Sequence, residues 1–102
     1  MRFYLLSDNT DTVVGMRFAG VEGIVVHEKE EFLIELNRIM DYNDVGVILV
    51  TKKLVSLCRE EIYQTKLTRT LPLIVEIPDR HGNAKISESI TYYVQNAIGL
   101  KL

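Results

Sequence analysis

Tryptophan is absent from this chain of 102 residues, proline occurs twice and cysteine once. A single cysteine, Cys58, cannot close an internal disulfide, which fits a reducing compartment rather than a disulfide-stapled secreted domain. Its neighbours Leu57 and Ile62 suggest a helix position turned inward, so Cys58 reads as a small buried hydrophobe rather than a reactive thiol. A basic excess is also missing: the formal charge is −2, which gives no electrostatic footprint for nucleic acid or an anionic membrane. Long apolar runs are lacking too. Phe3-Tyr4-Leu5-Leu6 is too short for a signal peptide and far too short to span a bilayer. The expectation is a cytoplasmic protein that is not inserted in a membrane.

What is present is the composition of an ordinary globular domain. With 47% apolar and 25% charged residues, the chain has enough of both to bury a modest core and stay in solution. The most informative segment is Leu71-Pro72-Leu73-Ile74-Val75-Glu76-Ile77-Pro78, a short apolar strand with a proline near its start and another at its end. Proline cannot donate to a sheet ladder, so it marks strand ends and edges. The polar run Asp79-Arg80-His81-Gly82-Asn83 follows. The division expected is an α/β core over 1–78, a tether over 79–86 and an amphipathic C-terminal helix over 87–102.

Along the core, Arg2 to Ser7 reads as a first strand. Asp8 is a plausible cap for a helix reaching Ala19, with Asp11 adding negative charge to its first turn and Gly20 stopping it. Gly15 inside that helix costs about 1 kcal/mol relative to alanine, and close packing on the sheet is the expected compensation. Glu22 to Val26 is a second strand. Glu28 to Asp41 is a second helix with Phe32, Leu33, Leu36, Ile39 and Met40 inward and Ile34 off that stripe. Val45 to Val50 is apolar without alternation, the mark of a central parallel strand covered on both faces. Lys52 to about Thr65 reads as a third helix with Leu54, Val55, Cys58 and Ile62 inward, and 64–70 as a polar connection.

Strand and helix alternating four times specify an α/β layered fold with a parallel sheet. Right-handed crossovers in the flavodoxin-like strand order 2-1-3-4 put the first helix on one face over strands 1 and 2. The second and third helices then cover the other face. Strands 3 and 4 are left bare on the first helix's side, and the final helix is the element available to cover them. Its apolar side chains would each contribute roughly 1.5–3 kcal/mol if buried. Ile90, Tyr92, Tyr93, Val94, Ala97 and Ile98 are therefore the candidate interface, followed by Leu100 and Leu102.

Open α/β sheets bind ligands beyond the carboxyl ends of the strands, where the winding reverses. Ser7, Asp8, Asn9, Thr51, Lys52 and Lys53 fall there. A phosphoacceptor receiver would place an aspartate where Thr51 stands, and Asp8 and Asp11 read as helix-start residues rather than metal ligands. Neither a G-x-G-x-x-G nor a G-x-x-x-x-G-K-[ST] loop follows the first strand. His27 and His81 lack ligand partners at metal spacing and read as solvated loop residues. Glu76 on the apolar last strand reads as an edge charge that discourages strand addition. The residues point to no catalytic group, cofactor site or metal site.

Asp11-Thr12-Val13-Val14-Gly15-Met16-Arg17-Phe18-Ala19-Gly20, Gly46 to Thr51 and LPLIVEIP at 71–78 together resemble the F subunit of V-type (A/V-type) rotary ATPases, in the short bacterial or archaeal form. The resemblance runs nearly end to end. It implies a non-catalytic subunit of the central rotor stalk, bound to the coiled-coil D subunit and turning inside the ring of A and B subunits. It also implies a terminal helix that moves between retracted and extended positions and modulates activity. A stand-alone receiver-like regulatory domain is the alternative that fold class alone allows.

Overall fold

The computed structural model describes residues 1–78; the tether at 79–86 and the helix expected over 87–102 lie outside the described residues. The described residues form four strands and four helices, with two consecutive helices between the last two strands: β1 (Arg2–Ser7), α1 (Thr10–Phe18), β2 (Glu22–Val25), α2 (Lys29–Met40), β3 (Val45–Thr51), α3 (Lys52–Leu57), α4 (Arg59–Thr68) and β4 (Leu73–Ile77). The sheet is parallel throughout, in the order β2-β1-β3-β4. The topology is that of the flavodoxin-like winding, as the alternation of elements predicts.

All seven residues of β3 are buried, because the strand lies between β1 and β4 with apolar side chains on both of its faces. On one face Tyr4, Leu6, Ile48, Val50 and Ile74 meet Phe32, Leu36 and Ile39 of α2, Leu54 of α3 and Ile62 of α4. Phe32 and Ile39 are fully buried there, and Ile34, off the stripe, is exposed. On the other face Leu5, Val47, Leu49, Val75 and Ile77 cluster with Val13 and Met16 of α1 and with Val21. Among the described helices α1 alone stands on that side, and it packs on β1 and β2.

Three details differ from the sequence reading. The α1 cap is Asn9 rather than Asp8: its side chain accepts from the Thr12 amide at 2.8 Å, an arrangement asparagine makes as readily as aspartate. Gly15 does not sit against the sheet; among the described residues nothing lies within 4 Å of where its Cβ would stand. The helix expected from Lys52 to Thr65 is broken at Cys58, whose backbone (φ −118°, ψ 33°) separates α3 from α4. Helix α4 then runs to Thr68 through most of the expected connection. The Thr65 and Thr68 hydroxyls donate to the carbonyls of Glu61 and Gln64 one turn back, so the polar side chains bond within the helix.

Gly20 does behave as a stop. Its φ of +86° lies in the left-handed region, and its amide donates to the Arg17 carbonyl at 2.9 Å. Gly23 has a different role beside β1, where a Cβ would come within 2.7 Å of the Leu5 Cβ.

Candidate functional site

The carboxyl ends of β1 and β3 carry the polar residues that a ligand-binding member of this fold class would use. Here those groups hold the backbone. The Ser7 hydroxyl donates to the Asn9 carbonyl at 2.8 Å and accepts from the Asn9 amide at 3.0 Å. Thr51, fully buried at the end of β3, accepts from the Asp8 amide at 3.2 Å. Asn9 in turn caps α1. This chain of bonds ties the β1 turn to β3 and engages the side-chain oxygens of Ser7, Asn9 and Thr51.

Beside it lies a cavity of about 440 Å³ lined by Asp8, His27, Lys53, Leu54, Ser56 and Leu57. His27 is exposed, and among the described residues no group of three or more His, Cys, Asp or Glu could hold a metal ion. Thr51 occupies the place where a phosphoacceptor carboxylate would stand.

The charged side chains gather elsewhere. At the amino ends of the strands, Arg2 donates to Asp44 at 2.9 Å and to Glu22 at 2.7 Å, and its guanidinium lies 5.3 Å from the Tyr42 ring centroid. Hydrogen bonding to Arg2 holds the Asp44 carboxyl below the usual carboxylate range. Arg38 donates to the hydroxyls of Tyr42 and Tyr4 and pairs with Glu35. The hydrogen bond to Tyr4, then that to Glu35, raises its pKa. This clasp fastens β2, β1 and the loop entering β3 together. It escaped the sequence reading because its members have no common spacing; one signal was present, an arginine opening an otherwise apolar strand.

A second charged set braces the break in the helix. Lys29 pairs with Glu61, and that hydrogen bond lowers the Glu61 pKa. Buried Cys58 lies at the junction, and burial pushes its thiol pKa up, away from the reactive thiolate form. The sequence reading of Cys58 as an inward-facing residue holds.

The remaining features are surfaces. Phe18, Ile34, Leu67, Leu71, Tyr63 and Leu57 are exposed apolar side chains, with Phe18 the most open at 89%. Glu76 is exposed on β4, the last strand in the sheet order, where its charge was expected. None of the described helices is long and apolar enough to cross a membrane. The candidate interface residues Ile90, Tyr92, Tyr93, Val94, Ala97 and Ile98 lie outside the described residues, as do His81, Leu100 and Leu102.

An open parallel sheet in the order β2-β1-β3-β4, with its switch-point turn bonded to itself, defines a flavodoxin-like domain. Comparison with known proteins then places it. Residues 4–94 match the family model of the ATP synthase (F/14-kDa) subunit. The F subunit of the A-type ATP synthase of Thermococcus kodakarensis is 35% identical, over all of this chain and 98% of that protein. The corresponding protein of Methanothermobacter thermautotrophicus, also an A-type ATP synthase F subunit, is 35% identical over 90% of this chain and 88% of that protein. That of Methanosphaera stadtmanae is 30% identical over the same shares. The chain belongs to the family of the ATP synthase (F/14-kDa) subunit.

Proposed function

We propose that this chain is a non-catalytic rotor-stalk subunit of an A/V-type ATPase, binding the coiled-coil D subunit and turning with it inside the ring of A and B subunits. In that role it couples ATP hydrolysis or synthesis to ion transport and needs no cofactor of its own. It works in the cytoplasm, peripheral to the membrane. The observation that carries this reading is the family match across residues 4–94. The switch-point turn supports it, since Ser7, Asn9 and Thr51 hold the fold together.

The 87–98 segment, with Ile90, Tyr92, Tyr93, Val94, Ala97 and Ile98, is the proposed movable element. Two seats are open to its apolar stripe: the sheet side of β3 and β4, around Leu49, Val75 and Ile77, or a partner's apolar surface. Leaving the sheet would free its apolar stripe for the stalk or the ring. The receiver-like alternative has nothing specific in its favour, because Thr51 and not an acid ends β3.

Affinity pull-down with the D-type subunit tests the proposal. Capture of this chain at equal stoichiometry supports it, and a D-type subunit that elutes alone contradicts it.

A further inference from the structure

Open α/β sheets take their ligands in the crevice outside the carboxyl ends of the strands, and in this domain the cavity beside the self-bonded turn lies there. Its walls come from the ends of three adjacent strands. Asp8 follows β1, His27 follows β2, and Lys53, Leu54, Ser56 and Leu57 belong to the α3 region that leaves β3. The volume of about 440 Å³ is within the range of small-molecule pockets, roughly 300–1,000 Å³.

The polar wall residues keep unspent bonding capacity. The Asp8 main chain is fixed by the bond from its amide to the Thr51 hydroxyl, while its carboxylate accepts a long bond of 3.4 Å from the Asn9 amide group. The His27 main chain is fixed by the bond from its amide to Glu31. Among the described residues the His27 ring, the Lys53 ammonium and the Ser56 hydroxyl have no hydrogen bond or ion pair, and all three residues are exposed. Leu54, fully buried, and Leu57, half exposed, supply the apolar part of the wall.

This set has a definite chemical complement. An ammonium, an imidazole and a hydroxyl are donors for the oxygens of one oxyanion, and lysine suits phosphate as a point charge. A carboxylate beside them repels a second anionic group and accepts from a hydroxyl instead.

We propose that this cavity binds a small hydroxylated phosphate ester. The phosphate meets Lys53, His27 and Ser56, a hydroxyl donates to Asp8, and the carbon skeleton lies against Leu54 and Leu57. Such a ligand joins the ends of β1 and β2 to α3 and stabilises the folded domain by mass action. The site goes beyond the rotor-stalk reading and stands or fails independently of it.

NMR titration of the isotopically labelled full chain with ribose 5-phosphate tests it, with inorganic phosphate and ribose as separate arms. Saturable amide shifts are expected at Asp8, His27, Lys53, Ser56 and Leu57, with a Kd of about 1 mM or lower. Lys53→Ala should weaken binding roughly tenfold by removing one charge-assisted bond. Asp8→Ala should tighten inorganic phosphate, because a like charge is gone, and abolish the preference for ribose 5-phosphate over it. Ribose alone should give no saturable shift, and thermal melts check that both variants are folded. Shifts that fail to saturate, or that persist unchanged in Lys53→Ala, would mean adventitious anion binding only and overturn the proposal. Inorganic phosphate bound by the unaltered chain as tightly as ribose 5-phosphate would overturn the hydroxylated ligand, and ribose bound alone would overturn the phosphate.

Discussion

Lys29 Nζ stands 2.7 Å from Glu61 Oε2, joining the first turn of α2 to the first turn of α4. The pair bridges two helices on one face of the sheet, next to the break at Cys58. It therefore braces the place where α3 ends and α4 begins.

Acid should weaken this bracing. The hydrogen bond from Lys29 lowers the Glu61 pKa, Arg2 does the same for Asp44, and the amides of His27 and Glu28 do so for Glu31. Each is favoured as a carboxylate in the folded chain, so the unfolded chain binds more protons as pH falls. The stability they add is complete above the ordinary carboxylate range and is lost as pH drops through it, below about pH 4.5. Thermal melts should give a Tm insensitive to these groups between neutral pH and about pH 5.5, falling beyond that. Glu61→Gln should show a shallower acid decline. An identical decline in that variant would exclude the pair as a contributor.

The cap of α1 has a sharp test. Asn9→Ala should cost about 1 kcal/mol, because it removes the acceptor of the Thr12 amide. Asp8→Ala should cost less, since the Asp8 backbone amide and not its side chain meets Thr51. Urea unfolding of both variants measures the difference, and the reverse order would return the capping role to Asp8.

Gly15 and Gly20 should respond to alanine with opposite signs. Among the described residues Gly15 has open space around its missing Cβ, so Gly15→Ala should stabilise the folded domain by about 0.4–1 kcal/mol. Gly20 sits at φ +86°, where an L side chain is strained, and Gly20→Ala should destabilise by about 1–2 kcal/mol. A destabilising Gly15→Ala would show that another part of the chain needs close approach at α1.

These tests also mark what the residues made legible. The unbroken apolar run of β3 announced a buried central strand, and the stripe Phe32, Leu36, Ile39 and Met40 announced which side of α2 faces inward. Cys58 announced nothing about its backbone. Neither glycine nor proline marks the break, and a continuous 3.6-residue pattern of Leu54, Cys58 and Ile62 is compatible with one helix or two. The polar stretch at 64–70 misled because threonine hydroxyls can bond either to solvent or to their own helix. The Arg2 clasp depends on long-range geometry between positions 2, 22, 38, 42 and 44, which no local pattern encodes. The turn at Ser7, Asp8 and Asn9 was found as a location, and the structure supplied its role. The interface residues from Ile90 to Ile98 rest on their own helical spacing and on the family.

Removing that segment should separate folding from regulation. A chain ending at Pro78 should retain the parallel-sheet core, seen as a cooperative thermal unfolding transition, and should alter the activity of an ATPase assembled with it. Equal ATPase rates and equal partner affinity with and without residues 79–102 would take the segment out of the mechanism.

The central claim is that this domain is a stalk subunit acting by binding. Multi-angle light scattering of the purified chain mixed with the coiled-coil D subunit tests it most directly. One species with the summed mass of one copy of each is the expected result. Two separate peaks, each at its own mass, would contradict it.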